Sequence, residues 1–306
     1  MMSSEQKGSL YAILSGFLYG FIGYFGLSAI NGNLSASTML FWRFLIASIL
    51  IFILLLPKIK NFKNVARRPL LIAFLSGACY YGISTLLYFY ASLYIGSGLS
   101  MVIFFTYPLV IMLLNYFFYG QLIPRIYYAA TFIILLGMLL LIDMNEVGFD
   151  LLGIFLGLAS AFFYACYIMS SKKNVIPPDL STLMVCLGCM ATSFIVALLD
   201  HSLALPDSWG TWFNLLGIGV IATVIPILLM LHSLNYISSE KASILSVLEP
   251  VFVLILGVLL LGETLQPWHA IGVVLVLFGA LLTLFSHRIK LERIKALFYR
   301  VDSRRD

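Results

Sequence analysis

Charge is what this sequence has least of. Asp, Glu, Lys and Arg make up 10% of its 306 residues, against 62% hydrophobic residues and a mean hydropathy of +1.05. A soluble domain carries about 25% charged residues, so this chain cannot cover a water-facing surface. Histidine, cysteine and tryptophan are also scarce, at four each. The cysteines, Cys79, Cys166, Cys186 and Cys189, all fall in apolar runs. Cys186 and Cys189 form a lone C-x-x-C with no second pair and no histidine cluster, which points to packing rather than to a metal or redox centre. No metal and no cofactor is expected. Strict apolar/polar alternation is missing too, which excludes a lipid-facing barrel.

Long apolar runs are abundant. Windows of spanning length fall at about 9–30, 37–56, 70–93, 99–119, 126–142, 151–171, 180–199, 211–233, 243–262 and 268–286. The breaks are short and carry turn residues, as in "NGNLSAS", "GQLIPR" and "SKKNVIPPD". The tightest junctions, at Gly96–Gly98 and Ser239–Lys241, define the boundaries least sharply. The first apolar run is longer than the core of a secretory leader and no small-residue cleavage site follows it, so it reads as the first span.

Charge placement tests the count of ten. With the N-terminus inside, 17 of the 18 Lys and Arg fall in inside loops or the C-terminal tail, and Arg43 alone lies within a span. This satisfies the positive-inside rule, and one missed or invented helix would break it from that point on. The net charge of +5 is therefore a lipid-facing asymmetry, and no nucleic-acid partner is expected. The tail "HRIKLERIKALFYRVDSRRD" spaces apolar residues among cations as a headgroup-bound helix does, although a disordered basic tail reads equally well.

The two halves of the chain resemble each other. Ser92–Ile123 aligns without a gap on Leu234–Leu265 at an offset of 142, bringing Tyr94 onto Tyr236, Ser97 onto Ser239, Pro108 onto Pro250 and Gly120 onto Gly262. Near the start, "GSLYAILSGFLY" resembles "GIFLGLASAFFY", with Gly8 on Gly153, Ser15 on Ser160 and Tyr19 on Tyr164. Five spans per half is an odd number, so the second half enters the membrane from the opposite side. Such an inverted repeat provides two related conformations, each open to one side. The expected fold is an all-α integral membrane protein of ten transmembrane helices in two inverted five-helix repeats. Residues 1–145 and 146–286 form the repeats, 287–306 a basic tail, and both termini are cytoplasmic.

With these motifs the chain resembles the ten-helix EamA-type members of the drug/metabolite transporter superfamily. "YISSEKASILSVLEPVFVLILGVLLLGE" is similar to the family's Glu-Pro and Leu-Gly-Glu signature, and "FWRFLIASIL" to its arginine-containing second helix. The likeness covers nearly the whole chain. In the first half Tyr107-Pro108 stands where the second has Glu249-Pro250. The resemblance implies a cavity lined by the first, third and fourth helices of each half.

The unusual residues follow from this frame. Glu249 is the only acid inside an expected span, and an intramembrane acid is costly enough to imply a function. Its alternative is a capping role around the proline kink. Pro108 and Pro250, at mirror depths, are the expected gating kinks. Tyr19, Tyr81, Tyr88, Tyr107, Tyr164 and Glu249 all fall on the helices that the resemblance assigns to the cavity. Such a pocket suits a small, partly apolar solute with an amine held by ring faces and a carboxylate; simple interhelical bonding accounts for each tyrosine equally well. Arg43 reads as a structural charge, pairing with carbonyls or Glu249 or reaching outward, with binding of a substrate carboxylate as the lesser reading. Proton coupling, where present, runs through Glu249.

These residues and the resemblance imply a secondary transporter of small metabolites, amino acids or related compounds, working by alternating access in a bacterial cytoplasmic membrane, with export favoured over uptake. The alternative is an uptake carrier for a cationic or nucleotide-type metabolite. A membrane enzyme would need a convergent set of acids or histidines, and the outside loops hold six scattered acids; a channel is set apart by the inverted repeat. A monomer and a homodimer are both compatible with the sequence.

Overall fold

The computed structural model describes residues 2–22, 24–25, 34–62, 65–142, 149–261 and 266–302. Gly23, Gly262, Glu263 and residues 26–33 and 143–148 lie outside the described residues. Those described form helices and turns without a strand, as continuous apolar sequence demands where lipid offers no hydrogen bonds to backbone. Among the described residues, eight helices are long and apolar enough to cross a membrane.

In chain order the helices are α1 (Ser4–Tyr19), α2 (Ala36–Leu55), α3 (Arg67–Ile95), α4 (Ser97–Phe104), α5 (Tyr107–Tyr119), α6 (Arg125–Leu139), α7 (Leu151–Lys173), α8 (Pro178–Leu199), α9 (Trp209–Leu234), α10 (Ser239–Ser246), α11 (Glu249–Leu256) and α12 (Pro267–Asp302). Helices α4 and α5 lie in one spanning segment, Ser97–Tyr119, and α10 and α11 in another, Ser239–Leu260. The short helix α6 covers the expected fifth span, and α1 covers only the described part of the first. The end of α3 turns sharply into α4 because Gly96 takes a φ of +80°, open to a residue without Cβ. The basic tail continues α12 as helix to Asp302.

The prolines stand beside a break in each of these two segments. Pro108 and Pro250 each sit in the first turn of the second helix. Both segments break one turn earlier, at Phe105 (ψ 8°) and Val247 (ψ 1°). The physical reason is that proline lacks the N–H a helix interior needs, whereas the first helical turn leaves that N–H unused.

Element order in the second half follows the first. Ala36 and Pro178, Arg67 and Trp209, Ser97 and Ser239, Tyr107 and Glu249, and Arg125 and Pro267 all start helices, each pair 142 residues apart. Contacts exchange in the same way. Helix α2 packs on its counterpart α8 and α6 on α12, while α1 packs on α9 and α10 as α7 packs on α3 and α4. Single atoms repeat the pattern. A Cβ on Gly8 would stand 2.7 Å from Tyr236 Cβ, and one on Gly153 2.7 Å from Tyr94 Cβ. Ser15 Oγ donates to Pro226 O at 2.8 Å, and Ser160 Oγ to Ser84 O at 2.8 Å.

Close backbone approach holds the seams, as expected where lipid removes most of the hydrophobic driving force between helices. At the α6–α12 crossing a Cβ on Gly137 would lie 2.7 Å from Gly272 O, and one on Gly272 2.7 Å from Gly137 O. At the α3–α8 crossing, residues 76–82 of α3 form a π-helical turn. Its carbonyls accept from α8: Gly77 O from Cys189 Sγ at 3.3 Å and Ala78 O from Thr192 Oγ1 at 2.8 Å. The C-x-x-C thus sits in a packed seam, with both cysteines buried.

Candidate functional site

The sequence spreads Tyr19, Tyr81, Tyr88, Tyr164 and Glu249 over 231 residues, on four helices, and packing brings them around one cavity. About 580 Å³ of atom-free space, its mouth included, lies between α1, α2, α3, α4, α7 and α11. Arg43 lines it too, as do Ile22, Thr85, Phe89, Met101, Phe104 and Phe105.

The rings form a connected wall. Tyr19 and Tyr81 share a hydroxyl contact of 3.2 Å. Tyr81 meets Tyr164 edge-on at 5.4 Å between centroids and stacks on Tyr167 at 4.8 Å. Phe104 joins Tyr88 at 5.5 Å and Tyr164 at 5.1 Å. Offset and edge-to-face pairs of this kind hold ring orientation beyond simple burial. Tyr167 follows Tyr164 by three residues on α7, and that i, i+3 spacing on one helical face is the signal that could have placed it beside the wall. Phe104 ends α4 at the break before Tyr107, and residue spacing carries no signal for it.

Tyr107 stands one layer behind the wall rather than in it. Its ring meets Tyr164 edge-on at 4.7 Å, and its hydroxyl is shared with Ser246 Oγ at 2.5 Å and donates to Ser243 O at 3.2 Å. A buried phenol seeks a partner, and the serines of α10 supply one away from the cavity. Tyr107 thereby ties α5 to α10.

Glu249 opens α11 and lines the cavity. It makes no hydrogen bond or ion pair to another described residue, so its carboxylate is left to the cavity. Among the described residues it makes no capping bond to the broken backbone of its own segment.

Arg43 is 2% exposed, which excludes an outward-reaching side chain. Its Nε donates to Thr223 Oγ1 at 2.6 Å and an Nη to Ala222 O at 3.1 Å. Ala222 has left helical geometry (φ −105°, ψ 15°) inside the π-helical turn 220–224 of α9. Arginine thus satisfies a carbonyl that the turn exposes, while the rest of its fork of donors stays at the cavity wall. Replacing Arg43 with alanine is expected to leave Ala222 O unpaired, at a cost of about 1–3 kcal/mol. A lowered thermal unfolding midpoint in detergent measures this loss.

The described residues hold no group of three or more His, Cys, Asp or Glu that could take a metal ion. What the site offers chemically is an aromatic wall, one carboxylate with no hydrogen-bond partner among the described residues and one partly engaged guanidinium.

Sequence comparison gives this arrangement a setting. The profile of the EamA-like transporter family matches residues 6–143 and again 151–285. An uncharacterized transporter of Bacillus subtilis, YxxF, is 26% identical over 300 residues, 94% of each chain. The pseudopaline exporter CntI of Pseudomonas aeruginosa is 24% identical over 242 residues, 79% of this chain and 82% of that one. A probable amino-acid metabolite efflux pump of Salmonella typhimurium is 27% identical over 208 residues, 63% of this chain and 69% of that one. One crystal structure superposes with a TM-score of 0.76 over 90% of this chain and 96% of its own, at 17% identity, a likeness of fold alone.

Proposed function

The chain belongs to the EamA-like transporter family, a multi-pass membrane transporter and not an enzyme, and from that premise we propose that it is a secondary carrier of small amine-bearing metabolites that works by alternating access. In this reading ten helices cross the membrane as two inverted repeats, 1–145 and 146–286, with both termini in the cytoplasm. The observation that carries it is the exchange of contacts between halves, in which Gly8 lies on Tyr236 as Gly153 lies on Tyr94. Two units of opposite orientation related in this way have two equivalent ways to close, one at each face.

The cavity favours a solute with a cationic amine, which ring faces and a carboxylate hold together. Amino acids and related compounds fit this description, and the Pseudomonas exporter and the Salmonella efflux pump favour export. A nucleotide-type cargo is less well served, because the lining offers a single cation, Arg43, two of whose donors are engaged. Glu249 is the group through which a proton would be exchanged for cargo.

Counterflow tests the proposal. Proteoliposomes preloaded with an unlabelled amino-acid pool are expected to take up the labelled pool transiently, with saturable kinetics. A flux linear in solute and indifferent to the opposite side would mean a pore.

A further inference from the structure

Charge at one end of the molecule is not all in water. Glu240 and Lys241, in what the sequence presents as a tight junction, are 3% and 4% exposed. They open α10 and belong to the segment 234–241, which three other helices hold by polar side chains. From α5, Asn115 Nδ2 donates to Glu240 Oε1 and reaches Ser239 Oγ at 3.3 Å. From α7, Lys172 Nζ donates to Leu234 O and, at 2.8 Å, to Ile237 O. From α1, Glu5 pairs with Lys241 Nζ at 2.5 Å. Lys173 lies beside this cluster, 3.5 Å above the Tyr119 ring.

The repeat supplies an internal control. At an offset of 142, Asn115 corresponds to Gly257, Glu240 to Gly98 and Lys241 to Leu99. Glu5 corresponds to Asp150 by the 145-residue step that joins Gly8 to Gly153, and Asp150 caps its own helix at Gly153 N. The side chain of Ser92, in the matching segment 92–99, bonds within its own helix to Phe89 O. Among the described residues the segments 234–241 and 92–99 are therefore alike in backbone packing and unlike in polar ties, while the ties of the far end lie elsewhere, from Tyr90 to Asp200 and from Thr38 to Ser202 O. The Glu249 cavity lies toward the other end, among Ile22, Phe89 and Met101.

We propose that residues 234–241 form a polar latch, held by Asn115, Lys172 and Glu5, that keeps the lysine-rich end shut at rest and so leaves the cavity open to the opposite face. The proposal rests on the alternating-access reading above. Two equal repeats would populate both states alike; ties that segment 234–241 makes and the described part of its match, 92–99, does not make unbalance them, and a few weak ties suffice to shift such an equilibrium about tenfold or more. Under the positive-inside reading the latched end is cytoplasmic. Solute then enters from the cytoplasm only when the latch opens, which makes latch opening the gated step of export.

Thiol labelling tests this. Thr85→Cys, at the cavity wall, serves as reporter in the full chain with exposed Cys79 and half-buried Cys166 replaced by serine. An impermeant maleimide is applied to right-side-out and to inverted vesicles. The parent is expected to react from the face opposite the lysines, about tenfold faster than from their own. Glu240→Gln, which keeps shape and removes charge, and Asn115→Ser with Lys172→Gln are each expected to raise the slow rate about tenfold and lower the fast one. If one variant fails to fold, the other still decides. A parent that reacts equally from both faces overturns the latch and leaves alternating access standing. Variants that leave both rates as in the parent also overturn the latch, whereas a counterflow assay that shows no exchange overturns alternating access, and the latch with it.

Discussion

Replacing Glu249 with glutamine is expected to lower transport of an amine-bearing solute by about 10- to 100-fold while leaving the protein folded. The size follows from losing a charge-assisted contact in a site largely shielded from water, worth about 1.5–3 kcal/mol, where each 1.4 kcal/mol is about tenfold. The fold survives because Glu249 bonds to no other described residue, so its removal leaves no protein partner unsatisfied. Removing an intramembrane carboxylate also relieves a desolvation cost, and the thermal midpoint should hold or rise. A pH signature separates this role from a structural one. The charged carboxylate holds a cation and the protonated acid releases it, so binding weakens as pH falls through the titration of Glu249. The other ionisable groups at the cavity are Arg43 and the tyrosines Tyr19, Tyr81, Tyr88 and Tyr164. Glutamine cannot titrate, so the variant's transport in proteoliposomes should be flat across the same range. Equal rates and an unchanged pH profile would remove Glu249 from both binding and coupling.

A single methyl group placed at Gly188 is expected to abolish monodisperse, folded protein. The Cβ of alanine there would stand 2.2 Å from Phe74 O and 2.5 Å from Ala78 N, both backbone atoms of α3. Backbone cannot rotate aside as a flexible side chain does, so α8 must part from α3 along the seam. The same movement stretches the bonds from Cys189 to Gly77 O and from Thr192 to Ala78 O. One such interhelical bond is worth about 0.6 kcal/mol in a membrane, whereas forcing extra atoms into a packed contact costs about 1–3 kcal/mol or more. Steric overlap therefore dominates. Gly77 faces the reverse contact, with a Cβ at 2.3 Å from Val185 O, and Gly77→Ala should act alike. Gly210→Ala is the control: its Cβ would meet only Ser208 Oγ, at 3.7 Å, and no change is expected. Size-exclusion profiles and unfolding midpoints in detergent distinguish the three.

The sequence by itself determined the helical membrane class, the positions of most spans, the kinship of the halves and the family. These are legible because the bilayer imposes local rules: an apolar run must match its thickness, and cations must stay on one side. The four cavity tyrosines and Glu249 were also within reach, since each is a polar group where lipid makes polarity costly. Only the tertiary structure decided which side chains meet. It moved Tyr107 behind the wall because the serines of α10 claim its hydroxyl, and it set Arg43 against the turn at Ala222 while keeping it at the cavity. It buried Glu240 and Lys241, which hydropathy assigns to a loop. Each of these outcomes depends on the rotation and close approach of helices far apart in the chain, and hydropathy and residue spacing along one strand of sequence carry no record of them.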